Sequence, residues 1–178
     1  MNIPQLETDR LILRALKESD LDSYADMMAD DEVAGFIGGT LNRDDSWRYM
    51  ATIIGHWQWR GFGFFALEEK STGQFLGRVG PWQPEGWPGL EVGWTLARHA
   101  WGKGYATEAA AATINWIFAQ RPTLTRIISV IDDKNLNSQA VARRLGEEKT
   151  EEIFYFKEYV LPVWAVSRAA WETRQEKA

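Results

Sequence analysis

Apolar and basic residues alternate through Arg10 to Leu16 (RLILRAL), which predicts a first strand with Leu11 and Leu13 on one face. The period then lengthens. Leu21, Tyr24, Met27 and Met28 recur at helical spacing behind Ser19, a good N-cap, with Asp20 and Asp22 at the positive end of the helix. Phe36 to Thr40 reads as a loop. Asn42 is placed to cap a second helix, from Arg43 to about Trp59, whose stripe is Trp47, Met50, Ile53, Ile54 and Trp57. Glycines at 61 and 63 end it, and Phe64 to Glu69 and Gln74 to Val79 form a hairpin about the turn Lys70 to Gly73. The stretch GPWQPEGWPG that follows is expected to be a rigid loop.

Leu90 to Leu96 (LEVGWTL) predicts a short strand, in which Gly93 marks a bulge or the close approach of another group. Tyr105 to Gln120 is an Ala-rich helix stopped before Pro122, and Arg126 to Ile131 a strand apolar enough to be covered on both faces. Leu136 to Leu145 is a helix closed by Gly146. Two late strands, around Ile153 to Lys157 and Val160 to Ser167, precede a short terminal helix. The order is β-α-α-β-β-β-α-β-α-β-β, without a repeat or linker to divide it, so residues 1–178 are expected to be one domain.

Composition narrows the possibilities. Hydrophobic residues at 45% and charged residues at 25% suit a globular protein, and no apolar run is long enough for a membrane span. The first residues lack a signal-peptide pattern and the chain has no cysteine, so a cytoplasmic location is expected, without disulfides or Cys-zinc sites. Two separated histidines suggest no metal cluster. A net charge of -5 disfavours a broad nucleic-acid surface while suiting a cationic partner. Ten Trp must be buried or stacked, and several lie between Trp47 and Trp101.

The candidate chemistry centres on HAWGKGYATEAAAA, His99 to Ala112. Gly102 and Gly104 let main-chain N–H groups close on an anion, and the start of the following helix adds its unpaired donors and positive dipole end. It is not a Walker loop, because Ala97 and Gly104 stand where Gly and Ser or Thr are needed. Nor is it a dinucleotide fingerprint, because Thr107 replaces the third Gly.

Together, EVGWTL, WGKGYATEA and the DDKNLNS before a helix ending in RRLG resemble the GNAT superfamily of N-acetyltransferases, within it the RimJ/RimL-like branch. The resemblance covers nearly the whole chain. It implies an α/β (α+β) fold with a mixed, strongly bent sheet of about seven strands flanked by four to five helices. The sheet is expected to splay between Leu90 to Leu96 and Arg126 to Ile131 to admit acetyl-CoA. It implies a pyrophosphate loop of Gly102, Lys103, Gly104, Tyr105, Ala106 and Thr107, and pantetheine pairing along Trp94, Thr95 and Leu96. Asn135 and Ser138 match the family's N-x-x-S, near the pantetheine and the thioester sulfur, although both types are also ordinary capping residues. The sequence departs from the family at Ala142, where many members carry a proton-donating Tyr, at His99, and at Glu147, where Phe is usual. Ser138 is the implied substitute acid.

Acetyl transfer to an amine needs an unprotonated nitrogen, support for an oxyanion and a proton for the thiolate. Glu91 is the candidate base; His56 is the other titratable group near the acceptor side and is expected to be structural. Phe64, Trp82, Trp87 and Glu91 are expected to line the acceptor site. Without Cys or a legible Ser-His-Asp set, direct ternary-complex transfer is expected. Acceptors in view are a protein α-amine, a polyamine, an aminoglycoside or an amino acid. A non-catalytic acetyl-CoA or CoA sensor is the alternative, and the sequence leaves monomer and homodimer open.

Overall fold

The computed structural model describes residues 3–177. Its eight-stranded sheet begins with β1 (Leu6–Glu7), β2 (Leu11–Arg14), β3 (Phe65–Glu69), β4 (Phe75–Trp82) and β5 (Glu91–Leu96). It continues through β6 (Arg126–Val130), β7 (Glu148–Phe156) and β8 (Tyr159–Ser167), in spatial order β1-β2-β3-β4-β5-β6-β8-β7. Six helices accompany it: α1 (Leu21–Ala29), α2 (Asp31–Ala34), α3 (Arg43–Arg60), α4 (Tyr105–Gln120), α5 (Leu136–Leu145) and α6 (Arg168–Gln175). The mixed α/β architecture is the one the sequence predicts, with β1 and α2 added. Both are too short to carry a readable period. Only β5 and β6 run parallel, because α4 connects them as a crossover; the other neighbours are antiparallel.

Local signals explain most boundaries. Asn42 accepts from the Asp45 N–H at 2.9 Å, Asn135 from the Ser138 N–H at 3.1 Å and Ser167 from the Ala170 N–H at 3.1 Å, so α3, α5 and α6 start where a side chain satisfies an orphan donor. Ser19 does not cap α1. It lies in a 3-10 turn, Glu18–Asp20, and the Asp20 carboxylate binds both terminal nitrogens of Arg14 at 2.8 Å. A second correction concerns Gly80, Pro81 and Trp82, which extend β4 rather than opening a loop. Pro81 is tolerated there because β3 begins at Phe65, opposite Val79. Beyond that rung β4 has no ladder partner on the β3 side among the described residues, so the missing N–H of proline leaves no ladder bond unmade.

The core lies between α4 and the sheet, where Ala109, Ala110, Ile114 and Ile117 face Phe65, Leu67, Val79 and Val92. Small residues on α4 allow this close approach. Alternation along β4 and β5 puts Arg78, Gly80 and Trp82 with Thr95, Gly93 and Glu91 on the opposite face. Among the described residues no helix is long and apolar enough to cross a membrane.

Candidate active site

The parallel pair β5 and β6 is joined at one rung, Glu91 opposite Ile128, with the Ile128 N–H donating to the Leu90 carbonyl at 3.1 Å. Ladder periodicity would next bring the Val130 N–H to the Val92 carbonyl. Instead the Val130 N–H donates to Glu91 Oε1 at 3.2 Å, and the Val92 carbonyl accepts from the Ser129 hydroxyl at 2.9 Å. Two side chains therefore end the pairing, and beyond them the strands separate. On the opened edge, alternation turns the main-chain groups of Trp94 and Leu96 toward the gap. Thr95 differs from the expectation: its N–H and C=O face β4. The Leu96 carbonyl is occupied by the Trp101 indole N–H at 2.8 Å.

At the mouth of the gap, Gly102, Lys103 and Gly104 are exposed and lead into α4. Gly102 and Gly104 have φ of +73° and +80°, the left-handed region that favours glycine. None of the main-chain N–H groups from Gly102 to Thr107 donates to another group among the described residues. The loop is thus a row of open donors at a helix N-terminus, the arrangement that suits a pyrophosphate. Arg10 braces it from β2's approach: its Nη1 donates to the Lys103 carbonyl at 2.9 Å and its Nε to Glu108 at 2.7 Å, while the Thr8 hydroxyl donates to Glu108 at 2.6 Å. The sequence gives no sign of this brace, since an acidic residue in a first helical turn reads as ordinary dipole compensation. The Tyr105 side chain is buried and donates to Glu69, so only its main-chain N–H faces the loop.

Ser138 lies across the gap, where its hydroxyl accepts from the Trp94 indole N–H at 3.2 Å. Asn135 spends its carboxamide oxygen on the α5 cap. Ala142 is fully buried beside Ile131 and Trp164, with Trp94 packed against them. Glu91 projects from the other face of β5, half-buried. Burial pushes its carboxyl up to about 7, against the opposing pull of the Val130 N–H, the Trp87 indole N–H at 2.7 Å and the charge of Arg78. A carboxylate in that range is suited to exchange protons near neutrality.

A second buried carboxyl sits beside it. Glu147 is 2% exposed, and burial raises it to about 8, despite its hydrogen bond with Ser129; the Glu91 charge pushes the same way. The Ser129 hydroxyl has one proton and gives it to the Val92 carbonyl. A protonated Glu147 can donate in turn to the Ser129 oxygen, which lies 3.0 Å from its Oε1.

The expected acceptor wall is redistributed. Trp82 and Phe64 are buried, their rings stacked at 4.9 Å, and Trp82 also stacks on His56 at 4.2 Å. Both His56 nitrogens are used: Nδ1–H donates to the Phe62 carbonyl at 2.7 Å, and Nε2 accepts from the Gln83 N–H at 3.1 Å. Burial lowers its pKa, so it is a neutral structural pin. Gly93 carries no bulge; an added Cβ would meet the Phe64 ring at 3.2 Å, so the glycine lets that ring lie on the strand. Trp87 is half-buried and meets Phe154 and Phe156 of β7 at ring distances of 4.9 and 5.4 Å. Those two phenylalanines are an unforeseen part of the aromatic cluster around Trp87, since the approach of β7 to the loop before β5 is a tertiary contact. His99 is exposed in a 3-10 turn.

The model of the GNAT acetyltransferase domain matches residues 10–148. The N-acetyltransferase p20 of Bacillus licheniformis is 30% identical over 147 residues, 81% of this chain and 82% of that protein. An acetyltransferase structure from Agrobacterium tumefaciens superposes with a TM-score of 0.83 at 30% identity, covering 93% of this chain and 95% of its own. The ribosomal L7/L12 α-N-acetyltransferase RimL in complex with coenzyme A shares the fold at a TM-score of 0.74 and 18% identity, with 94% and 99% coverage. The strand opening and its open-donor loop thus occur on a chain whose sequence matches along most of its length, and the protein belongs to the GNAT family of acetyltransferases, with RimJ- and RimL-type enzymes among its structural neighbours.

Proposed function

We propose that this acyltransferase moves an acetyl group from acetyl-CoA to a primary amine by direct transfer, with both substrates bound together. The observation that carries the reading is the row of unpartnered N–H groups from Gly102 to Thr107 beside the split of β5 from β6, with Glu91 and Ser138 reaching it from opposite faces of β5. The loop N–H groups hold the pyrophosphate, with Lys103 adjacent, and the open edge at Trp94 and Leu96 pairs with the pantetheine arm as an added strand would. Acetyl-CoA supplies an activated acyl carbon and a thiolate leaving group. The amine nitrogen forms the new C–N bond as the C–S bond breaks; Glu91 accepts the proton that the nitrogen loses, and Ser138 gives its hydroxyl proton to the sulfur and regains one from solvent. Burial near Trp87 keeps Glu91 basic enough for this role at neutral pH, because an ordinary carboxylate at 4.5 would release its proton too readily.

The test is the pH dependence of CoA release in the wild type and in Glu91→Gln. Wild-type kcat/KM is expected to rise as pH passes about 7, the point at which Glu91 loses its proton. The variant is expected to lose that limb and roughly 100-fold or more in rate. A Glu91→Gln enzyme with the wild-type profile overturns the assignment of the base. Tight acetyl-CoA binding without CoA release across a broad amine panel overturns the transferase reading in favour of a binding module.

A further inference from the structure

Arg78, on the central strand β4, is 4% exposed, and no carboxylate lies within salt-bridge distance of it among the described residues. Its Nη1 donates to the Tyr49 hydroxyl at a long 3.4 Å; Nε is buried without a partner, and Nη2 has none among the described residues. The guanidinium lies between the ring faces of Tyr49 and Phe64, at 4.8 and 4.3 Å. The rings offset part of the cost of burying the charge, but they leave the Nε–Nη2 edge unused. That edge is the fork that fits a carboxylate with two parallel hydrogen bonds. Other guanidinium groups packed into the fold have their acceptors supplied: half-buried Arg14 binds Asp20 and Glu68, and Arg168 donates to the carbonyls of Phe118, Arg121 and Leu124.

Its position relates the free edge to the reaction. Arg78 pairs with Thr95 across β4 and β5, and Trp82 pairs with Glu91, so Arg78 and Glu91 stand on one face of the sheet with the Gly80–Gly93 rung between them. Tyr49, which covers Arg78, is itself only half-buried. The face therefore offers a proton-accepting carboxyl at one end and an unpaired guanidinium at the other, the complement of an acceptor with an amine and an anion.

Building on the transferase reading, we infer that Arg78 binds the acceptor's carboxylate and that the acceptor is a small amine bearing one, of the amino-acid type. Polyamines and aminoglycosides, which carry only cations, do not fit a site with an unneutralised buried arginine.

The experiment measures kcat/KM, corrected to the unprotonated amine, for matched sets of an amino acid, its carboxamide and its decarboxylated amine, including sets in which the amine and carboxylate are separated by one to three carbons. The wild type is expected to prefer the carboxylate member by about 10- to 100-fold in at least one set, chiefly through KM. In Arg78→Met that ratio falls to near one, and Arg78→Lys recovers part of it. Calorimetry of acetyl-CoA binding reports that each variant has folded; where Arg78→Met fails this check, the wild-type ratios decide alone. CoA release without discrimination, or a preference for a polyamine, overturns the inference and leaves the transferase reading standing. Failure of every amine, carboxylate-bearing or not, overturns both.

Discussion

Replacing Glu147 with Gln removes a carboxyl that the fold holds in its neutral form. In the folded chain the group titrates at about 8, against an ordinary value of 4.5, because it is buried at 2% exposure with Ser129 as its hydrogen-bond partner. Between those two values the unfolded chain has lost a proton that the folded chain keeps. The native state then binds more protons, and stability falls as pH rises through this window, levelling above about 8. At about 1.4 kcal/mol per pH unit, the window corresponds to a loss on the order of 4–5 kcal/mol. For a chain of this size that is a drop in Tm on the order of 10 °C. Glu91, raised to about 7, contributes in the same direction over the lower part of the window. The Gln amide can donate to the Ser129 oxygen as the protonated acid does, and it does not ionise. Urea or thermal unfolding at pH 5.5, 7 and 9 should therefore show two proteins of similar stability at the acid end. At pH 9 the Glu147→Gln protein should be the more stable by several degrees. Parallel curves for the two proteins, with the same alkaline decline, would refute the reasoning.

Gly104→Val forces a β-branched residue into φ of +80° and displaces the loop donors; acetyl-CoA affinity is expected to fall at least tenfold by calorimetry, and an unchanged Kd removes the loop from the binding site. Ser138→Ala should lower kcat with little change in the KM for acetyl-CoA, and solvent protonation limits the loss to roughly 10- to 100-fold; equal loss in both parameters would point to a binding role instead. Asp20→Ala leaves the half-buried Arg14 guanidinium with Glu68 and the Ala15 carbonyl as its remaining partners, and chemical denaturation should show a loss of about 1.5–3 kcal/mol. A loss below about 1 kcal/mol would show that the cluster is solvated as a surface pair is.

Where a boundary depends on neighbours in the chain, the sequence is sufficient. Asn135 and Gly146 delimit α5, Asn42 starts α3, and the Gly102-Lys103-Gly104 turn opens α4 at Tyr105, each as predicted. The start signal at α1 fails because a 3-10 turn precedes it and takes in Ser19. Asp20 is drawn to Arg14, so no side chain caps α1. Pro81 reads as a strand breaker until β3 is seen to stop short of it.

The site divides along the same line. The loop from Gly102 to Thr107 was legible because what it offers, exposed main-chain N–H groups, follows from two glycines and a helix start over a few residues. Glu91 and Ser138 could be named as candidates, but the surroundings that set their chemistry could not be read. Glu91 is one glutamate among many in the sequence, and its basicity arises from desolvation in the tertiary structure, against which the Val130 N–H on β6 pulls. Arg78 sits in a strand that reads as ordinary, and only the packing of Tyr49 and Phe64 over it creates a buried cation without an acid. The sequence by itself determined most of the order of elements and the glycine loop before α4, because short-range hydrogen bonding and hydrophobic period specify them, and its motifs carried the resemblance to the family. Only the tertiary structure decided which charges are buried and what faces them, because desolvation is set by contacts that the linear order does not contain.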